Sequence, residues 1–302
     1  MNDIKSVCGF CNAENSHVLY PTYDIFGNNY TINKCNDCNA EFLAPRPDSE
    51  RLNKAYSTDY YGTTETKFKN SFVENTIDYF RSGRARKALK LVGDFSKVLD
   101  IGCGNGNFLK YLFKFGQCDV YGTEFDGNSA KRASQNKEIN LKLGEIKHED
   151  YPDNFFDLIT MFHVFEHVLE PKSVLKIIKD KLKAGGILII SIPNIDSFQS
   201  KVFNGKWLHL DPPRHLFFFK PVDLIELMEG EGFGIQKVNY FSIEQNPFGM
   251  IQSILNKMQK KREVLFEVLK GNKAYASGYS PFNIFLQKAF FLFSFPFFIT
   301  WS

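Results

Sequence analysis

The stretch Val98-Leu-Asp-Ile-Gly-Cys-Gly-Asn-Gly-Asn-Phe-Leu109 decides the fold. A short apolar run of Val98, Leu99 and Ile101 leads into Gly102, Gly104 and Gly106, and an apolar helical pattern follows through Leu109, Leu112 and Phe113. That order predicts a strand, a tight turn and a helix. Glycines let the backbone come close to a ligand and leave N–H groups exposed at a helix N-terminus. A G-x-G-x-G loop on its own serves as often as a plain tight turn. Asp100, just before the first glycine, adds chemistry. An acid at a strand tip repels a pyrophosphate but suits a ligand bearing an ammonium group.

Outward from this loop, strand and helix signals alternate, which argues for a parallel sheet with helices on both faces. Strands are expected over residues 97–101, 119–124, 140–143, 155–162 and 186–193. An amphipathic helix over 221–232 and a sixth strand over 235–241 follow. Glu124, eighteen residues after Gly106, ends the second strand, where an acid can hydrogen-bond a ribose diol. Gly144 and Glu145 stand at the tip of the third. The fourth runs into Met161-Phe-His-Val-Phe-Glu-His-Val-Leu-Glu-Pro171, which gathers His163, Glu166 and His167 at the carboxyl edge of the sheet. Open α/β sheets bind their ligands at that edge.

Toward the N-terminus, Cys8-Gly-Phe-Cys11 and Cys35-Asn-Asp-Cys38 form two C-x2-C pairs separated by twenty-three residues. Each pair offers two soft ligands from a tight turn, and four thiolates suit tetrahedral zinc with no position left for catalysis. Structural zinc held by Cys8, Cys11, Cys35 and Cys38 is expected, with a hairpin turning at Gly27-Asn28-Asn29 between the pairs. Cys103 and Cys118 read as buried thiols. Ala44-Pro-Arg-Pro-Asp48 marks a linker, and Tyr60-Tyr61-Gly62 and a helical stretch over 72–92 lead into the glycine loop.

The 302 residues, 43% hydrophobic and 24% charged, describe an ordinary globular chain. A net charge of +3 is too small to announce a polyanion partner. Residues 1–55 carry five Lys/Arg against seven Asp/Glu, which argues against nucleic acid. From residue 246 on, seven Lys/Arg stand against Glu263 and Glu267. Residues 249–270 read as a helix with the basic cluster Lys257, Lys260, Lys261 and Arg262, and residues 282–301 are overwhelmingly apolar. This combination suits peripheral attachment to an anionic membrane through residues 250–302; packing on the sheet or in a dimer is the alternative. The first residues lack the apolar core of a signal peptide, so a cytoplasmic protein, at the inner face of the membrane, is expected.

Asp100-Ile-Gly-Cys-Gly-Asn-Gly106 resembles motif I of the class I S-adenosylmethionine-dependent methyltransferases. Gly122-Thr-Glu-Phe-Asp126 resembles motif II with its ribose-binding acid, and Phe155-Phe-Asp-Leu-Ile-Thr160 the fourth strand. The His163–His167 turn and Trp207-Leu-His-Leu-Asp-Pro-Pro-Arg-His-Leu-Phe-Phe-Phe219 are similar to the small-molecule branch of that family. The resemblance implies a Rossmann-like, doubly wound, mostly parallel α/β sheet and S-adenosyl-L-methionine as cofactor; no pattern for the family's seventh strand follows, so either the chain is truncated before it or the sheet ends at six strands. It implies that Gly102, Gly104 and Gly106 lie against the methionine part, with Asp100 near its ammonium and Arg84 at its carboxylate. Glu124 falls on the ribose, Glu145 near the adenine, and Phe162 in the same site.

Methyl transfer needs an aligned nucleophile and a base. His215 is the expected base, with His167, Glu166 and His163 as alternatives. The His163–His167 turn is also similar to an Mg²⁺-binding turn of ubiquinone-pathway relatives. A weaker resemblance links the chain to sugar C-methyltransferases with an N-terminal zinc module. Those carry Glu-His where Arg214-His215 stands here, which points to O- or N-methylation. The expectation is therefore a methyltransferase of a sugar or lipid-linked saccharide in surface-polysaccharide synthesis. Its parts would be a zinc ribbon over 1–45, a cofactor domain over 46–245 and a basic, apolar helical segment over 246–302. An RNA methyltransferase using the ribbon, and a non-catalytic zinc-stabilised scaffold with a relic pocket, are the alternatives.

Overall fold

The computed structural model describes residues 7–56, 71–272 and 274–301; the Tyr60-Tyr61-Gly62 stretch lies outside them. The chain divides into two compact units. One is drawn from both ends of the sequence, up to Tyr56 and from Pro193 on, and the other from the stretch between, ending at Ile192.

In the middle unit, five strands form one parallel sheet. They are β4 (Lys97–Ile101), β5 (Asp119–Glu124), β6 (Ile139–Leu143), β7 (Phe156–Phe162) and β8 (Leu182–Ser191), in the spatial order β6-β5-β4-β7-β8. The order reverses beside β4, and that reversal opens the crevice in which such sheets take ligands. Helix α2 (Ser71–Val92) precedes β4, α3 (Asn107–Gly116) and α4 (Asn128–Ala133) follow β4 and β5, and α5 (Pro171–Lys181) precedes β8. β4 is apolar on both faces: Val98 shares one core with Leu109, Leu112, Val120, Leu158 and with Ala85 and Ala88 of α2, while its neighbour Leu99, on the opposite face, is fully buried as well. β8 begins at Leu182, earlier than expected, because a register shift opposite β7 absorbs the Gly185-Gly186 break.

The other unit is built on an antiparallel sheet of β1 (Ser16–Tyr23), β2 (Asn29–Cys35), β3 (Glu41–Ala44) and β9 (Phe217–Phe218), with the short helices α1 (Ser49–Ala55) after β3 and α6 (Phe198–Phe203) before β9. β9 comes from the Trp207–Phe219 segment that the sequence assigned to the cofactor domain, and it pairs Phe217 and Phe218 with Phe42 and Glu41. Tyr30, Ile32 and Leu43 of the ribbon then share a core with Ile195, Phe203, Trp207, Leu210 and Phe218. A three-stranded ribbon has too little apolar surface for a core of its own and recruits it from later chain. The unit boundaries at 56/57 and 192/193 therefore replace those expected at 45/46 and 245/246.

Residues 235–241 form no strand. Ile235, Val238, Tyr240 and Phe241 are exposed, and the sheet of the middle unit has five strands among the described residues. The apolar pattern slips by one place between Ile235 and Val238, so neither face of a strand there is uniformly apolar. The helix before it, α7 (Pro221–Gly230), forms close to its expected place.

The chain ends in α8 (Asn246–Met258), α9 (Val264–Lys270) and α10 (Pro281–Trp301), packed around Ile251, Leu255 and Leu265. Arg262, expected in the basic cluster with Lys257, Lys260 and Lys261, is set apart from them by being buried. Its guanidinium donates to the Thr22 hydroxyl (3.2 Å), the Tyr23 carbonyl (2.6 Å) and the Trp207 carbonyl (3.0 Å), and pairs with Glu263 at 2.8 Å. One side chain thus ties the tail to β1 and to the Trp207 segment. Arg262→Ala leaves the Glu263 carboxylate buried without its counter-charge, and a loss of about 3–5 kcal/mol in urea unfolding is expected. Arg262→Lys should not restore it, since an ammonium cannot reach the same spread of acceptors.

Candidate active site

The crevice of the middle unit is built from the ends of β4, β5 and β7. Parallel register sets Asp100 opposite Thr160, and the Thr160 hydroxyl donates to Asp100 Oδ1 at 2.6 Å. Asp100 is buried, and burial pushes its carboxyl up to about 7. The Thr160 hydrogen bond and the Arg84 guanidinium work in the opposite direction, and Glu124 adds to the rise. An acid so placed is poised between neutral and ionised at ordinary pH, and an arriving cation would hold it ionised.

The glycine loop follows directly. Gly102 has φ +69°, and a Cβ there would meet Val164 Cγ2 at 2.4 Å, so only glycine lets the loop pass Val164. Gly104 has φ +59° and no atom within 4 Å of where a Cβ would stand; its left-handed backbone borders open space. Its N–H donates to Glu124 Oε2 at 2.6 Å, while the Phe125 N–H donates to Oε1 at 3.1 Å. Glu124 thus bridges the tip of β5 and the loop after β4. The Gly144 N–H donates to the Glu124 carbonyl at 2.9 Å, which sets the tip of β6, and exposed Glu145 after it, beside the same point.

Arg84, half-buried on α2, lies over the Phe162 ring at 4.8 Å, and that ring packs edge-on against Phe108 of α3 at 5.2 Å. Phe162 therefore works as a shelf for the guanidinium. At the end of β7, His163 takes a left-handed conformation (φ +58°) and its N–H donates to the Ser191 carbonyl. The turn that follows sets His163 Nδ1 3.7 Å from Glu166 Oε1, with His167 half-buried beside them in sequence.

Three residues of this crevice escape motif reading. Thr160 holds Asp100 from the neighbouring strand. Asp78 on α2 accepts from Asn107 Nδ2 (2.7 Å) and from the Tyr111 hydroxyl, pinning the helix that follows the loop. Phe125, 56% exposed, presents an aromatic face directly after the ribose-type acid. Phe125 and Thr160 stand inside stretches quoted for their resemblance, with no role of their own assigned there, and nothing local marks Asp78.

His215 belongs to the other unit. It is buried, and its Nδ1 lies 2.8 Å from the His209 carbonyl. A carbonyl only accepts, so Nδ1 carries a proton and donates it to that carbonyl. Asp211 Oδ2 lies 3.7 Å from Nε2, and Asp211 is itself paired with Arg214.

In that unit too, the Sγ atoms of Cys8, Cys11, Cys35 and Cys38 all lie within 4.8 Å of one another. Two of the pairs, Cys8–Cys38 and Cys11–Cys35, are 3.7 and 3.5 Å apart. Tetrahedral zinc with ~2.3 Å bonds to sulfur places thiolates ~3.8 Å apart, so the cluster is geometrically compatible with zinc. Each pair sits in the same turn: the N–H of Asn12 returns to the Cys8 carbonyl, and that of Asn39 to the Cys35 carbonyl. Both asparagines are left-handed (φ 61° and 60°), a conformation asparagine tolerates well. The repeated C-x2-C-N-A sequence is the signal for this match.

A family model described as a methyltransferase domain matches residues 72–238. The chain is 28% identical over 145 residues to a ubiquinone biosynthesis O-methyltransferase of Shewanella sp. (strain ANA-3), covering 44% of this chain and 61% of that protein. It is 28% identical over 158 residues to one of Glaesserella parasuis serovar 5, covering 47% and 66%. The chain thus spans less than two thirds of the length of these curated relatives. A SAM dependent methyltransferase from Archaeoglobus fulgidus superposes with a TM-score of 0.47 at 24% identity, over 55% of this chain and 73% of that one.

The raised carboxyl of Asp100 has a stability consequence. An aspartate near 7 in the folded chain and near about 3.9 unfolded holds its proton more tightly when folded. Folding stability therefore falls as pH rises from about 4 to about 7 and stays lower above. Asp100→Asn removes that penalty, and the ligand-free variant is expected to be more stable than the parent at pH 8 by on the order of 2 kcal/mol, with little difference at pH 4. Thermal melts across that range check it.

Proposed function

The chain belongs to the methyltransferase-domain family, and from that premise we propose that it transfers a methyl group from S-adenosylmethionine to a hydroxyl oxygen. One observation carries the cofactor part of this reading: Asp100, Arg84, Glu124 and the open left-handed backbone at Gly104 converge on the carboxyl edge of one parallel sheet. These groups fit the cofactor. Asp100 answers an ammonium, Arg84 a carboxylate and Glu124 a ribose diol. The open space at Gly104 would take the methionine part beside Gly102 and Gly106. Glu145 and Phe125 would stand on the adenine side, and Phe162 supports Arg84. When bound, the cofactor supplies a sulfonium methyl carbon open to in-line attack.

The chain's own task is then to orient the acceptor and hold its proton. His215 is the proposed base. The His209 carbonyl holds a proton on Nδ1, so Nε2 is the nitrogen that would take the acceptor's proton, and Asp211 at 3.7 Å would favour the imidazolium formed. His163, Glu166 and His167, grouped on the turn after β7, are the alternatives.

For the acceptor we propose a hydroxyl of a sugar or lipid-linked saccharide in surface-polysaccharide synthesis; support comes from the Trp207–Phe219 segment, similar to the small-molecule branch. A second reading is an O-methylation in ubiquinone biosynthesis, favoured by the names of the relatives. Labelled methyl transfer to a panel of lipid-linked saccharides and quinone precursors separates the two. We also propose structural zinc on Cys8, Cys11, Cys35 and Cys38, whose four thiolates leave no open position.

Calorimetry with S-adenosylmethionine should show weaker binding by Glu124→Ala, on the order of tenfold, since a charge-assisted hydrogen bond is lost. His215→Ala should bind the cofactor normally and turn over about 10²–10⁴-fold more slowly; full activity would move the base elsewhere. Metal analysis should find about one zinc per chain, lost together with folding of the N-terminal sheet in a Cys8→Ser/Cys11→Ser variant.

A further inference from the structure

We propose that α10 is a membrane-surface helix that docks the protein on an anionic phospholipid bilayer. The inference is independent of the acceptor. It begins from a helix that is apolar on both sides. Phe291, Phe295 and Phe298 pack on Ile251, Leu255 and Leu265, and Gln287 Nε2 donates to Gln259 Oε1 at 3.0 Å, so one side lies along α8 and α9. Phe282, Phe285, Leu286, Leu292, Phe293 and Phe297 are all exposed. At 100° per residue these six fall within an arc of about 140° on the opposite side. Phe293 is 86% exposed. Soluble helices carry charge on that side, and this one carries none there.

Charge names the occupant. Glu263 and Glu267 are buried with Arg262 and Lys270 as their partners, so neither acid reaches the surface. What does reach it is Lys257, Lys260, Lys261 and Lys288. Among the described residues from 246 on, every exposed charge is positive. Lys288 stands on α10 itself, about 40° from the edge of that arc, and Lys257 at the end of α8, with Lys260 and Lys261 just after it, flanks Gln259 where it meets Gln287. An apolar face edged by lysines complements acyl chains beneath anionic headgroups. A second copy would bring like charges together. Pro281–Ile299 is also long and apolar enough to cross a bilayer. The packed inner side and the Gln287–Gln259 bond instead hold the helix along the protein surface, where it lies in the plane of the interface.

The test is co-sedimentation of the full chain with vesicles of phosphatidylcholine alone and of phosphatidylcholine with about a third phosphatidylglycerol. Binding to the anionic vesicles, weakened by salt, is expected. Phe285→Ser/Phe293→Ser should weaken it at least about tenfold with an unchanged circular dichroism spectrum, since both rings face outward. Lys257→Glu/Lys260→Glu should abolish the preference for anionic vesicles. The proposal is overturned by no binding to anionic vesicles, or by equal binding of the phenylalanine variant. It is equally overturned by a lipid-free dimer that this variant dissolves, or by protein that resists alkaline extraction as a spanning helix does.

Discussion

A carboxyl group sealed from water at the tip of the central strand governs the middle unit. Asp100 can stay there because Thr160, its partner in parallel register, donates to it, and because Arg84 stands near. The crevice around it is arranged in the same spirit. Glu124 accepts N–H groups from the glycine loop and from its own strand end. Phe162 supports a guanidinium, and Asp78 ties α2 to the first turn of α3. Desolvated charge and fixed backbone donors make such a place costly to build, and useful only when a charged ligand completes it.

The other unit is held by two different devices. Two matched cysteine turns close one end of the antiparallel sheet. At the other, Arg262 reaches from the tail into β1 and the Trp207 segment with three hydrogen bonds, its charge met by the adjacent Glu263. Between them lies a core to which the ribbon contributes three side chains and the chain after Pro193 contributes five. The first and last parts of the sequence are thus one folding unit, and a cut between them in the sequence is no domain boundary in space.

The middle unit was legible in detail. Short apolar runs followed by glycine or acid located all five strands to within a few residues, and placed Asp100 and Glu124 at adjacent tips. The cysteine pairs were equally legible, because a C-x2-C turn is local. Legibility ended where a pattern was ambiguous or a partner distant. Residues 235–241 carry apolar side chains on both faces of any strand they form, and they remain irregular and exposed. Arg262 looked like one more cation among lysines, since nothing local marks a guanidinium that will find three backbone and side-chain acceptors far away in sequence.

By itself, the sequence determined the glycine turn, the acids at the strand ends, the tetrad of cysteines and the apolar character of the last helix. Each depends on residues a few positions apart, and strand and helix periods expose it. Only the tertiary structure decided that Phe217 and Phe218 complete the ribbon sheet, that Thr160 answers Asp100, and which side of α10 is covered. Those outcomes depend on which apolar surfaces meet first and bury most, a competition among segments up to 240 residues apart, as between Thr22 and Arg262, that no local period records.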